Sequence, residues 1–242
     1  MRDKMISNRK EVEIQRQYYA RTAAKYNSMH VNIRDEHFLS LSLLLATIDF
    51  MHVKSILDIG SGTGRAVAYI KKNRPDIRVV GLEPVKELRD IGYVNGLEPA
   101  DLIDGDATQL TFHAGDYDLV CAFGVLHHVR YPDQVVSEML RVAAKAIFIS
   151  DSNNFAQGSY AWRIIKQLFN LIGLWNIANF LKTKGRGYRL SEGDGISYSY
   201  SIFNNYKQIE VQCSTIHLLN TQGGRINFYK TAGHLALLGV KR

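Results

Sequence analysis

Apolar residues recur in two rhythms along this chain of 242 residues, and their alternation sets the expected architecture. Short runs at Ser55–Ile59, Arg78–Leu82, 101–104, Tyr117–Phe123 and 146–150 are almost wholly apolar or bounded by turn residues, as buried strands are. Between them, Arg65–Asn73, 85–92 and 131–143 repeat apolar side chains at helical spacing. Arg74-Pro75-Asp76 closes the first of these helices, and Pro132 sits near the first turn of the last. Strand and helix in repetition predict a parallel sheet covered on both faces. Two helices are expected ahead of it, over 10–29 and 34–52. The second presents Phe38, Leu41, Leu44, Leu45, Ile48 and Phe50 on one broad face. Two further strands are expected at 208–217 and 235–240, joined by a loop with Gly223-Gly224.

Residues 155–195 break the rhythm. The stretch 161–181 is helical in pattern, and Gly173 is placed to split it. Its Trp162, Ile165, Leu168, Phe169, Ile172, Trp175, Ile177, Phe180 and Leu181 are more than one surface helix can bury. A basic run, Lys182-Thr183-Lys184-Gly185-Arg186-Gly187-Tyr188-Arg189, and a polar turn, Ser191-Glu192-Gly193-Asp194-Gly195, follow. The expected organisation is one domain over 1–242: lid helices (1–52), a core (53–154), a cap insertion (155–195) and a C-terminal helix with the last two strands (196–242). The insertion can be a cap over a substrate pocket, an interfacial helix resting on a membrane, or a homodimer contact.

Composition narrows this picture only a little. An apolar fraction of 46% supports an ordinary core. The two cysteines, Cys121 and Cys213, fall in expected strands without metal-ligand spacing, which points to a reduced, cytoplasmic protein. No stretch is long and apolar enough to span a bilayer. The net charge of +7 admits anionic partners without selecting one.

The chemistry is expected where the first strand ends. There Asp58-Ile59-Gly60-Ser61-Gly62-Thr63-Gly64 leads into a helix, and glycines at a helix N-terminus let a nucleotide-type ligand approach the backbone. The spacing is G-x-G-x-G, not the G-x-G-x-x-G of dinucleotide binding. Glu83 ends the second strand, where a carboxylate can accept from both ribose hydroxyls.

Strand, Asp58, Gly60, Gly62 and Gly64 resemble the first motif of class I S-adenosylmethionine (SAM)-dependent methyltransferases. The resemblance implies a Rossmann-like α/β fold: a seven-stranded sheet with helices on both faces, here with a helical insertion after strand 5. It implies SAM as cofactor and S-adenosylhomocysteine (SAH) as product. It also implies that Asp106 and the Ala107 N–H meet adenine, and that the end of the fourth strand at Phe123 borders the methionine part. Tyr18 and Tyr26, on a leading helix similar to the family's lid helix (Tyr19-Ala20-Arg21-Thr22-Ala23-Ala24-Lys25-Tyr26), are expected to close over the cofactor. Leu126-His127-His128-Val129 resembles the ubiquinone/menaquinone-type methyltransferase group. On family position His127 and His128 are candidate general bases, or caps of the next helix; Asp151, Trp162, Tyr188 and Tyr200 are candidate acceptor contacts. No metal is expected, because strand 4 ends in Ala122-Phe123-Gly124 without carboxylates. The expected reaction is transfer to an oxygen or carbon of a small, anionic or lipid-linked acceptor. Nucleic acid is the less favoured partner. The competing readings are an RNA or protein methyltransferase, and a non-catalytic, membrane-associated SAM-fold subunit.

Overall fold

A computed structural model describes residues 2–32, 34–223 and 227–242. The chain runs α1 (Arg2–His30), α2 (Glu36–Phe50), β1 (Ser55–Ile59), α3 (Arg65–Asn73), β2 (Arg78–Leu82), α4 (Lys86–Val94), β3 (Leu102–Ile103), β4 (Tyr117–Phe123), α5 (Pro132–Val142) and β5 (Ala143–Ser152). It continues with α6 (Tyr160–Leu171), α7 (Trp175–Lys182), β6 (Tyr188–Ser191), β7 (Gly195–Tyr198), α8 (Tyr206–Gln212), β8 (Cys213–Asn220) and β9 (His234–Lys241).

Seven strands form one sheet in the order β3-β2-β1-β4-β5-β9-β8. The first five are parallel, and β9 runs antiparallel between β5 and β8. Strand side chains alternate between faces, so each strand feeds two cores. Leu57, Val80, Val120 and Ile147 meet Val135, Met139 and Leu140 of α5 on one side. Ile56, Val79, Leu119 and Phe148 meet Leu41, Leu44 and Ile48 of α2 and Val67 and Ile70 of α3 on the other. The strand order reverses between β1 and β4, and there the carboxyl ends of the strands part to leave a crevice.

Two features differ from expectation and one agrees with it. Residues 208–212 are not the start of a strand but the body of α8: Ile209 is buried while Val211 is exposed, which a one-sided helix allows. The basic run and polar turn do not form a plain loop. Tyr188 pairs with Tyr198 and Leu190 with Ile196 in a separate two-stranded hairpin. As expected, Gly173 divides the insertion helix into two, its φ of +74° ending α6. Gly224 lies outside the described residues.

Candidate active site

The turn leaving β1 is tied to β2. The Gly60 and Ser61 N–H groups both donate to the Leu82 carbonyl, at 2.8 and 3.1 Å. The Gly62 N–H donates to Glu83 Oε2 and the Val85 N–H to Oε1, each at 2.9 Å. Gly60 and Gly62 have φ of +66° and +58°. A Cβ on Gly62 would stand 2.4 Å from Tyr26 Oη, and one on Gly60 2.6 Å from Val125 Cγ2. Only glycine fits both the left-handed backbone and the space.

Two buried carboxylates support this turn. Asp58 accepts from Ser61 Oγ at 2.5 Å and from Cys121 Sγ at 3.6 Å. Burial pushes its carboxyl up to about 6. Burial likewise pushes Glu83 up to about 7, against the two N–H bonds that favour its charge. Each Glu83 oxygen keeps a second lone pair for a ligand hydroxyl.

A cavity of about 220 Å³ opens beside them. It brings together Tyr26, Gly60, Glu83, Asp106, Ala107, Phe123 and His128 of the expected residues. A smaller recess of about 40 Å³ shares Tyr26, Gly60 and Phe123 and reaches Asp58. Asp106 also caps its own turn, accepting from the Thr108 N–H at 2.8 Å and Oγ1 at 2.7 Å. Tyr18 does not line the cavity; its Oη donates to the Glu192 carbonyl of the hairpin at 2.7 Å. Tyr19 stands there instead. It lies seven residues, two helical turns, before Tyr26, so helical periodicity from Tyr26 would have pointed to Tyr19 rather than Tyr18.

The hairpin straps α1 over this cavity. The Ile196 N–H donates to Gln15 Oε1 at 2.5 Å, and Tyr198 Oη donates to Glu11 Oε2 at 2.6 Å. Glu11 also pairs with Arg130 on the far side of the cavity mouth.

The segment after β4 holds both histidines in a single turn, Leu126–His128. Asp151, fully buried on β5, accepts from the Leu126 N–H at 2.8 Å and the Ser152 N–H at 2.6 Å, and lies 2.7 Å from His127 Nδ1. From the other side, Asp194 Oδ2 of the hairpin turn is 3.5 Å from His127 Nε2. Burial opposes a charge on this imidazole, but the two carboxylates outweigh it and push His127 up to about 10. Despite their burial, Asp151 and Asp194 are held well below the usual carboxylate range, Asp151 chiefly by His127 and Asp194 by both histidines. His127 is therefore an imidazolium at neutral pH, with both nitrogens engaged. His128 Nδ1 donates to the Ile196 carbonyl at 2.6 Å, while its Nε2 lies 3.1 Å from Tyr19 Oη and 3.3 Å from Asp194 Oδ1.

His37, on α2, carries no motif, and its place is visible only in the fold. Ser40 Oγ donates to the Glu36 carbonyl at 2.8 Å, Ser150 Oγ donates to Ser40 Oγ at 2.9 Å, and His37 Nδ1 lies 3.0 Å from Ser150 Oγ. Each hydroxyl has one proton, so His37 must donate from Nδ1 and keep its lone pair on Nε2. That nitrogen faces Gly124, 3.0 Å from where a Cβ would stand. Burial lowers the His37 pKa. The His234 ring packs edge-on at 4.5 Å, and burial pushes it down to about 3. Glu36, His37 and His234 could each offer a metal ion one ligand atom, as could His127, His128 and Asp194. In the second group His127 has no lone pair free while both carboxylates hold it.

A second, polar cavity of about 170 Å³ lies between the hairpin and α7, and Tyr188, Asp194, His127 and Ser152 line it. Asp151 stands behind His127. Trp162 and Tyr200 line none of the cavities described. The Trp162 ring lies under Lys182 Nζ at 4.3 Å, and Tyr200 is buried in the core with its Oη donating to Asn205 Oδ1 at 3.0 Å.

Residues 57–147 match the family model of the methyltransferase domain. Norajmaline N-methyltransferase of Rauvolfia serpentina is 35% identical over 96 residues, 38% of this chain and 32% of that protein. Phosphatidylethanolamine N-methyltransferase of Cereibacter sphaeroides is 30% identical over 118 residues, 42% of this chain and 51% of that protein. The chain thus spans about a third to a half of the length of these curated relatives. Magnesium protoporphyrin IX methyltransferase of Synechocystis PCC 6803, solved with bound SAH, superposes with a TM-score of 0.60 at 14% identity, over 94% of this chain and 98% of that one. Residues 57–147 thus carry the match to a methyltransferase domain, and the chain as a whole shares the fold of that solved methyltransferase.

Proposed function

We propose that the protein transfers a methyl group from SAM to a nitrogen of a small-molecule or lipid-linked amine. The residues present fit the cofactor. The Glu83 carboxylate would accept from the ribose hydroxyls, Asp106 and the Ala107 N–H would meet adenine, and the glycine turn with Asp58 and Tyr26 would hold the methionine end. Bound SAM supplies an activated methyl group and a neutral leaving group. The chain's own task is to orient the acceptor and keep water out, which α1 and the hairpin do by closing over the crevice.

The observation that carries the nitrogen reading is the clamp on His127. A hydroxyl acceptor needs a base to take its proton, and His127, held as an imidazolium by Asp151 and Asp194, cannot be that base near neutrality. A neutral amine brings its own lone pair and needs only positioning. The two curated relatives described above are both N-methyltransferases, which supports this reading over the oxygen or carbon acceptor expected from sequence. The ubiquinone/menaquinone-type grouping rests on Leu126-His127-His128-Val129 alone and stays a proposal. An oxygen acceptor has two specific observations in its favour: the Nε2 lone pair of His37 beside Gly124, and His128, which lines the cavity with its Nε2 3.1 Å from Tyr19 Oη.

Calorimetry with SAH tests the cofactor; no heat at millimolar ligand would remove the whole reading. Methyl transfer to matched panels of amines and phenols by the wild type and His37→Ala tests the acceptor. Amine transfer is expected to persist in His37→Ala within a few-fold. Transfer confined to phenols and lost in His37→Ala would overturn the nitrogen acceptor. Activity on RNA that weakens steeply with salt would favour a nucleic-acid substrate instead.

A further inference from the structure

Helix α6 is inside out. Its polar side chains point into the protein: Lys166 is 2% exposed and donates to the Gln157 carbonyl at 2.9 Å and to the Asn154 carbonyl. Gln167 donates to the carbonyls of Phe155 and Lys230, each at 3.0 Å, and Asn170 to Tyr229 Oη at 2.7 Å. Its apolar side chains point out, with Leu168 54% and Leu171 82% exposed. Helix α7 repeats this: Trp175 is buried, bonded to Ser199 Oγ, while Ile177, Phe180 and Leu181 are exposed. Among the described residues, 11 of the 20 exposed large apolar side chains fall within residues 160–190. Polar anchors facing inward fix the orientation, so a neighbour outside the chain must cover this face.

Charge identifies the neighbour. Residues 152–191 contain no Asp or Glu and six cations: Arg163, Lys166, Lys182, Lys184, Arg186 and Arg189. The rest of the chain has 24 cations against 23 acids, so nearly all of the net +7 lies in this segment. None of the six makes an ion pair among the described residues. A second copy of the chain would bring this basic segment against itself. A nucleic acid would leave the aliphatic face uncovered. Among the described residues no helix is long and apolar enough to cross a membrane. We infer that α6 and α7 lie on an anionic lipid bilayer, with Leu168, Leu171, Ile177 and Leu181 in the acyl boundary and the flanking cations Lys182, Lys184 and Arg186 at the headgroups. This placement does not depend on which acceptor is methylated.

The test is co-sedimentation of the full chain with phosphatidylcholine vesicles, with and without phosphatidylglycerol. Binding is expected only with phosphatidylglycerol and should weaken with salt. Lys182→Ala/Lys184→Ala/Arg186→Ala is expected to weaken it on the order of 100-fold, since each cation near an anionic surface contributes roughly fivefold. Leu168→Glu/Leu171→Glu should abolish it, and SAH affinity and circular dichroism should not change in either variant. Equal binding to neutral vesicles, or no vesicle binding, would overturn the inference. An oligomer that Leu168→Glu/Leu171→Glu dissociates, without vesicle binding, would assign the face to a second copy.

Discussion

The crevice at the strand ends and the insertion above it treat polar groups in opposite ways. In the crevice, charged side chains are buried and held by backbone N–H groups: Glu83 by Gly62 and Val85, Asp151 by Leu126 and Ser152. In the insertion, neutral amides and Lys166 face inward and the aliphatic residues face solvent. The crevice is therefore complete without a partner, whereas the insertion is not. The two meet at Asp194, which the hairpin extends to His127 and His128.

If that contrast is right, one crevice carboxylate should matter far more to stability than any exposed insertion cation. Asp151→Ala removes the acceptor for two N–H groups and leaves His127 without its nearer counter-charge. Breaking a buried pair this way costs about 3–5 kcal/mol. Chemical denaturation should show that loss, while Lys184→Ala should change nothing measurable. A loss under about 1 kcal/mol for Asp151→Ala would mean the crevice relaxes as easily as a surface.

Glu83 tests whether the crevice was built for the ligand. Glu83→Ala should raise the SAH dissociation constant about tenfold or more, because a hydrogen bond to a charged acceptor contributes roughly 1.5–3 kcal/mol. The pH dependence has opposite signs for folding and binding. A carboxyl raised to about 7 by burial favours the folded state at low pH, below its ordinary 4.5. That contribution is lost as pH rises through about 7; Asp58 acts the same way between 3.8 and about 6. Ribose hydroxyls donate to the ionised form, so SAH affinity should rise with pH through about 7 and flatten in Glu83→Gln. A flat wild-type profile would take Glu83 off the ribose.

The same contrast explains what could be read from sequence. Ser55–Ile59, Arg65–Asn73, Arg78–Leu82 and Tyr117–Phe123 have the bounds expected of them, because buried strands and one-sided helices mark their own periodicity. The hairpin has four-residue strands whose partners are each other, and the apolar-polar alternation of Tyr188-Arg189-Leu190-Ser191 is too short to stand out beside Gly185, Gly187 and the basic run. Ile209 and Val211 alternate like a strand, yet only Ile209 is buried, so local pattern gave way to packing in α8. His37 and Asp194 reach the site from 113 residues before Ser150 and 67 residues after His127. Only tertiary structure could bring them there.

The smallest expected effect bears on the junction itself. Asp194→Asn removes the charge that the hairpin lends to His127 and His128, but α1 still holds the hairpin through Tyr18, Gln15 and Glu11. The side chain is 41% exposed, so global stability should barely change. The local consequences are specific. With one carboxylate gone, the His127 pKa should fall from about 10 toward its ordinary 6.5, held up by Asp151 alone. Amides of β6 and β7 should exchange faster, with the Ile196 N–H slowest because Gln15 holds it. Imidazole titration by NMR and hydrogen exchange read these two effects separately. If His127 titrates unchanged and exchange over residues 188–198 is unaltered, Asp194 is a bystander, and α1 together with the His128–Ile196 bond joins the hairpin to the crevice.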